Sequence, residues 1–268
     1  MDEPKKVLND GGAGEAEKSG RFAWLRPPLL IKLIGGYSLL VLGLISFVVL
    51  TSEAPAAEKA IIRMALGLNL IWVVLLGALM VRFRDPVQKL VRGIPLPWGL
   101  KFFLFCIVLA LLEEAVTVSL TNLAPLFGAP VGEAFITASA SYLHTVLFHS
   151  VIVFLPMFLI WAVLLRFFDF SPGSVFLCFG LTGSLAEMSM SPTNVLAGFW
   201  VFVYGLMIYL PAYSLPAERG ARRPPWWAYP LAVFSPLLAP ILLLPITPLL
   251  RWLWEQMDPV FFVDSIWD

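Results

Sequence analysis

The sequence is short of charged residues and cysteines, and these shortages exclude several classes of protein. Only 13% of the 268 residues are charged, whereas about a quarter of the residues in a soluble domain are charged. The two cysteines, Cys106 and Cys178, lie far apart in apolar runs with no CxxC spacing. We therefore expect two packing residues and no disulfide framework. Because the formal net charge is zero, no overall field favours nucleic acid as a partner.

Long runs of apolar residues make up much of the sequence. Hydrophobic residues make up 59% of the chain, and several runs exceed the length of a buried helix in a soluble protein. The fold class we predict is all-α, a polytopic membrane helix bundle of about seven transmembrane helices. The predicted spans are 33–51, 61–81, 101–122, 145–168, 174–190, 194–213 and 231–250.

The distribution of polar and basic residues predicts the domain organisation and orientation. Residues 1–28 are polar and rich in Gly, Glu and Lys, which is typical of a disordered tail. Residues 29–250 form the bundle, and residues 251–268 are expected to rest on the membrane surface. Lys and Arg are concentrated in alternate links, which favours a cytoplasmic N-terminus. We expect an integral protein of a bacterial or archaeal plasma membrane, with the lipid bilayer as its first partner.

Local signals predict where helices begin, bend and meet. Ser171 precedes Pro172 and suits a helix N-cap. The long apolar stretch 134–168 before it is expected to form a short outer helix and then the span 145–168, bent at Pro156. Three glycines in the first span, Gly35, Gly36 and Gly43, would allow another helix to approach closely.

Glu113 and Glu114 stand side by side inside the apolar stretch 101–122. Two carboxylates at mid-membrane cost roughly 5–7 kcal/mol, and the Leu, Ile, Phe and Val residues of the stretch return roughly 4–7 kcal/mol. The helix would be marginal alone in lipid. We therefore expect it to be packed inside the bundle, where its acids find partners.

The predicted topology brings the buried polar residues to similar depths. At about 1.5 Å per residue, Glu113, Glu187 and His149 fall about 3, 5 and 9 Å beyond the midplane on the outer side. Asn69 lands at a similar depth. Arg63 lies nearer the outer surface, where an interface anchor is expected, and a counter-charge for the acids is the alternative.

Adjacent carboxyls beside a histidine suit general acid–base chemistry or a proton relay. The predicted catalytic set is Glu113, Glu114, His149 and Glu187, and the alternative is a polar cluster that holds helices together. His144 and His149 would be about 140° apart on a regular helix. A metal site made by both histidines and the glutamates therefore requires a break in that helix, and the metal and cofactor requirement stays open.

The tandem glutamates with a histidine on the next helix resemble the CAAX-processing type of glutamate intramembrane protease. Glu113, Glu114 and His149 are the matching positions. The resemblance implies that these side chains activate water for peptide cleavage.

The chain departs from the family pattern at three places. Val118 stands where the family has arginine, and Thr145 stands where it has phenylalanine. The family's later helix with a histidine and an asparagine has no histidine here, only Glu187 and Asn194.

Three functions remain open from the sequence. In a membrane-embedded hydrolase, Glu113 or Glu114 would be the general base, His149 its orienting partner and the loop 122–133 a cover. The substrate would be a lipid-dissolved peptide or a small lipid. A transporter or proton-coupled carrier would use the same acids as couplers. A non-catalytic membrane subunit or assembly factor would bind membrane protein partners through faces of small residues.

Overall fold

The computed structural model describes residues 27–188, 197–216 and 218–261, with side chains described up to residue 256. Residues 1–26, most of the predicted tail, and Asn194 lie outside the described residues. Within the described part the chain is helical and has no strand, which confirms the all-α class. The helices are α1 (Pro27–Thr51), α2 (Ala56–Arg82), α3 (Arg84–Gly93), α4 (Trp98–Asn122), α5 (Ala124–Phe127), α6 (Tyr142–Phe148), α7 (Ser150–Phe167), α8 (Pro172–Glu187), α9 (Trp200–Tyr213), α10 (Ala228–Phe234) and α11 (Thr247–Phe261).

Five helices are long and apolar enough to cross a membrane, as expected of a multi-pass membrane protein. They are α1, α2, α4, α7 and the continuous helical segment Ala228–Gln256. Two shorter helices, α8 and α9, have 16 and 14 residues. Seven crossings and a cytoplasmic N-terminus stay predictions.

Helix α4 lies at the centre of the bundle and packs against α7 and α9. Its buried residues extend from Phe102 near its start to Thr121 near its end. Glu113 and Glu114 belong to this buried face. Helix α1, by contrast, exposes most of its surface, so α4 is held by protein contacts while α1 is available to lipid.

Close packing of α8 against α9 depends on glycine. A Cβ atom built on Gly180 would lie 2.3 Å from the carbonyl oxygen of Val201. One built on Gly183 would lie 2.1 Å from ring atoms of Tyr204. Such distances leave no room for a methyl group, and small residues let helix backbones approach in this way.

Two local predictions are confirmed. The hydroxyl of Ser171 accepts a hydrogen bond from the backbone N–H of Ser174 at 3.1 Å, so Ser171 caps α8. Pro172 occupies the first turn, where no intrahelical N–H is needed. Cys106 and Cys178 are free and buried, as expected for packing residues.

The proline-rich segment 231–250 is helical but irregular. Helix α10 passes into the 3₁₀ helix Ser235–Ile246, which contains Pro240 and Pro245 and continues into α11. Twelve residues is long for a 3₁₀ helix, which seldom exceeds four. Prolines lack the N–H that α-helical hydrogen bonding needs, which explains the irregular helix. This segment also forms part of the wall of a cavity.

The expected short outer helix is α6, which ends at a break at His149, whose φ of −124° and ψ of −84° are not helical. Helix α7 contains Pro156, and the bend expected there stays a prediction. One expectation was wrong. Of the three glycines in α1, only Gly35 meets another helix among the described residues, because a Cβ there would lie 3.2 Å from Phe202, while Gly36 and Gly43 have no described atom within 4 Å. Glycine permits close contacts, but the neighbouring helices decide where they occur.

Candidate functional site

A cavity of about 950 Å³ lies within the bundle. Residues of α2, α4, α7, α8 and α9 line it, together with the 3₁₀ helix and the irregular segment 135–138. The lining is mostly apolar. Its ionisable members include all four residues predicted as catalytic from the sequence, namely Glu113, Glu114, His149 and Glu187.

Glu114 is held in place by hydroxyl groups. Its Oε2 accepts hydrogen bonds from Thr117 Oγ1 at 3.2 Å and from Thr137 Oγ1 at 3.3 Å. Thr117 lies one turn further along α4, while Thr137 comes from the irregular segment before α6. Two separate parts of the chain therefore orient Glu114.

Glu113 has a different environment. It is 4% exposed and lines the cavity. No hydrogen-bond donor meets its carboxyl group in the described part of the chain. Its electrostatic neighbours are the other two glutamates, Glu114 and Glu187. Three carboxyl groups thus share one region of the cavity wall.

Glu187, the last residue of α8, is paired with α9. Its Oε1 accepts a short hydrogen bond from the hydroxyl of Tyr204. The Tyr204 ring lies directly against Gly183, one turn before Glu187. The absence of a side chain at Gly183 therefore allows the tyrosine to reach the glutamate.

His149 lies at the break between α6 and α7, and its ring meets other rings. The ring centroids of His149 and His144 are 4.9 Å apart. Trp254 of α11 lies 4.4 Å from His144 and 5.9 Å from His149, centroid to centroid. On an unbroken helix the two imidazoles would point about 140° apart, so the break brings them to one side.

The glutamates and His149 line one cavity, but no hydrogen bond joins them to the histidine in the described chain. Over the residues described, no hydrogen bond or ion pair joins His149 to Glu113 or Glu114. The same residues contain no group of three or more His, Cys, Asp or Glu side chains placed to hold a metal ion. The alternative of a metal site built from both histidines and the glutamates gains no support from this geometry.

The structure places two further sequence candidates away from the acids. Arg63 donates from Nη1 to the carbonyl oxygen of Phe127 at 2.5 Å and so ties α2 to α5. Asn69 donates from Nδ2 to the carbonyl of Ala65 at 2.9 Å, one turn back in its own helix. Neither residue lines the cavity.

The loop 122–133 was expected to cover the site, but none of its residues is among the described lining of the cavity, whereas residues 135–138, which follow it, form part of that lining. Thr137, in this second segment, and Tyr204 are site residues that the sequence did not reveal. Thr117 could have been found, because a residue three positions after Glu114 lies on the same helix face. No local signal pointed to Thr137 or Tyr204.

The chemistry available to this cavity is proton transfer. It offers a carboxyl group fixed by hydroxyl donors, a second carboxyl group beside it and a nearby imidazole, which are common general acids and bases. The apolar walls provide space for a substrate that dissolves in lipid. No protein-family model, curated protein or solved structure matches the chain.

Proposed function

We propose that the chain is a membrane-embedded hydrolase whose reaction takes place in the cavity. The observation that carries this proposal is that Glu113, Glu114, His149 and Glu187, from three separate parts of the chain, line one space of about 950 Å³. Small-molecule sites commonly occupy about 300–1,000 Å³ and combine apolar walls with a few polar groups. A lipid-dissolved peptide or a small lipid is the substrate class that such walls favour.

Glu114 acts as the general base in this proposal. Hydroxyl donors stabilise the ionised form of a carboxylate, and Thr117 and Thr137 both donate to Glu114. Glu114 takes a proton from water as the water oxygen bonds to the substrate carbonyl carbon. Glu113, the neighbouring acid, gives a proton to the leaving nitrogen or oxygen as its bond to that carbon breaks. The resemblance of these two residues to the paired glutamates of CAAX-processing proteases supports the assignment.

His149 and Glu187 act on the substrate side of the cavity. The two threonines already orient Glu114, and no hydrogen bond links the base to His149 in the described chain. We therefore assign His149 to substrate contact and not to orientation of the base. Glu187, held by Tyr204, adds a third carboxyl group to the same wall.

The test is hydrolysis by the purified full chain in liposomes. The substrates are an internally quenched hydrophobic peptide and a fluorogenic long-chain acyl ester. Loss of a general base costs about 10²–10⁴-fold in rate, so Glu114→Gln should lower hydrolysis at least about 100-fold with an unchanged unfolding temperature. Glu53→Gln, at an exposed position outside the cavity, is the matched control. Hydrolysis by Glu114→Gln at the rate of the control would contradict the assignment.

A carrier is the second candidate, and the irregular helices favour it. Transporters often build their sites from discontinuous helices, and here the break at His149 and the 3₁₀ residues Pro236 and Pro240 line the cavity. A carrier using the acids as proton couplers would show uptake into proteoliposomes that varies between pH of about 5 and 8. Uptake independent of pH would count against proton coupling.

A further inference from the structure

The described cavity lining carries three acidic groups and one imidazole, that of His149. The acidic groups are three glutamates, and the same lining contains neither lysine nor arginine. Residues 189–196, SMSPTNVL, which follow the last residues of α8 in the sequence, include no charged residue. Glu113 is 4% exposed and meets no hydrogen-bond donor within the described chain. An unpartnered buried carboxyl group avoids carrying a charge, but a cation beside it favours the ionised form, so a positive group in the cavity would gain a carboxylate partner in Glu113.

A row of aromatic rings lies beside these acids. Ring centroids are 4.6 Å apart for Phe199 and Trp200, 6.0 Å for Trp200 and Tyr204, and 5.7 Å for Tyr204 and Phe154. All four residues line the cavity. Tyr204 connects the row to the acids, because its hydroxyl donates to Glu187. Aromatic faces attract organic cations, and several rings together recognise ammonium groups.

We propose that the cavity binds an apolar organic cation, with its positive centre between the glutamates and the aromatic row. Carboxylates supply the opposite charge, the rings supply cation–π contact, and the apolar walls accommodate the rest of the molecule. The proposal that the cavity binds such a cation depends only on the geometry of the cavity. As the substrate class of the hydrolase, an amine or ammonium bearing an apolar group, it rests on the proposed function.

The probe for this site is tetraphenylphosphonium, with the anion tetraphenylborate as its near-isosteric control. Binding is measured by equilibrium dialysis against the full chain in nanodiscs, and uptake by empty nanodiscs is subtracted because both ions enter lipid. We expect the cation to bind at least about tenfold more tightly than the anion, which is a difference of about 1.4 kcal/mol in binding free energy. The carboxylates attract the cation and repel the anion. Equal binding of the two ions would overturn the proposal, and this comparison needs no variant.

Variants locate the bound cation. Glu113→Gln and Glu187→Gln should each weaken tetraphenylphosphonium binding about five- to tenfold and leave tetraphenylborate unchanged. Trp200→Leu should weaken cation binding about two- to fivefold through the loss of a π face. Trp252→Leu is its control, since Trp252 is 54% exposed and does not line the cavity. Cation binding that none of the three cavity variants weakens would place the ion elsewhere and contradict the proposal.

Competition separates the possible sources of the cation and the two proposals. Displacement of tetraphenylphosphonium by a long-chain alkylamine in the bilayer, but not by a short water-soluble amine, would identify a lipid amine; the reverse would identify a free amine. Selective cation binding without any hydrolysis would support the cation site and contradict the hydrolase proposal. Hydrolysis that depends on Glu114 but is not inhibited by tetraphenylphosphonium would preserve the hydrolase and refute the cation site.

Discussion

The contact between Gly183 and Tyr204 provides a quantitative test of how the site is assembled. A methyl group at Gly183 would lie 2.1 Å from ring atoms of Tyr204 and 2.7 Å from its Cβ atom. The ring must therefore move, and its hydroxyl would leave Glu187. Gly183→Ala thus changes helix packing and the position of a cavity acid at once.

The expected cost follows from three contributions. Overpacking costs about 1–3 kcal/mol, and loss of a hydrogen bond to a charged group costs about 1.5–3 kcal/mol. Alanine returns about 0.5–1 kcal/mol through its better helix propensity. The net effect of Gly183→Ala is a destabilisation of about 2–5 kcal/mol. This is large for a change of one methyl group.

Unfolding in mixed detergent micelles, followed by circular dichroism, measures this free energy. Gly36→Ala is the matched control, because a Cβ there has no neighbour within 4 Å, and it should be neutral or slightly stabilising. In the double variant Gly183→Ala/Tyr204→Ala the ring is gone, so the methyl group should add little further cost. If Gly183→Ala is as stable as Gly36→Ala, the close approach of α8 and α9 that we describe is incorrect.

Three further predictions test single contacts. Thr137→Val removes a hydroxyl donor to Glu114. It should lower the rate of hydrolysis about three- to tenfold, because one hydrogen bond contributes about 0.5–1.5 kcal/mol. Thr137→Ser should restore the rate, and equal rates for the Val and Ser variants would refute this role. Ser171→Ala removes the cap of α8 and should cost about 0.5–2 kcal/mol of unfolding free energy, whereas Ser171→Asp should be tolerated. Trp72→Phe leaves the buried carbonyl of Val203, which accepts from the indole N–H at 3.0 Å, without that donor; a cost of about 1–3 kcal/mol is expected in the same unfolding assay.

The helices were predictable because their signals are local. The predicted span 101–122 corresponds to α4, Trp98–Asn122, and the predicted span 61–81 lies within α2, Ala56–Arg82. Apolar length and backbone hydrogen bonding within each segment determine such helices in lipid. The cap at Ser171 is local for the same reason, since donor and acceptor are three residues apart.

Predictions that depended on neighbours were less successful. A metal site would have required a break in the helix of the two histidines, but the sequence did not place that break at His149, where both imidazoles pack near Trp254 of a distant helix. Gly36 offers the same small surface as Gly183, yet only Gly183 faces another helix closely. The residue type shows which contacts a position can make, but it does not show which other helix packs against that position.

By itself the sequence determined that the chain is a bundle of apolar helices with two adjacent carboxyl groups in one of them, because hydropathy and helical periodicity act over a few turns. Only the tertiary structure decided that Thr137 reaches Glu114 and that Tyr204 reaches Glu187. Those pairs are separated by 23 and 17 residues. Their meeting depends on how closely helices pack and where the chain leaves them, which is a property of the whole bundle.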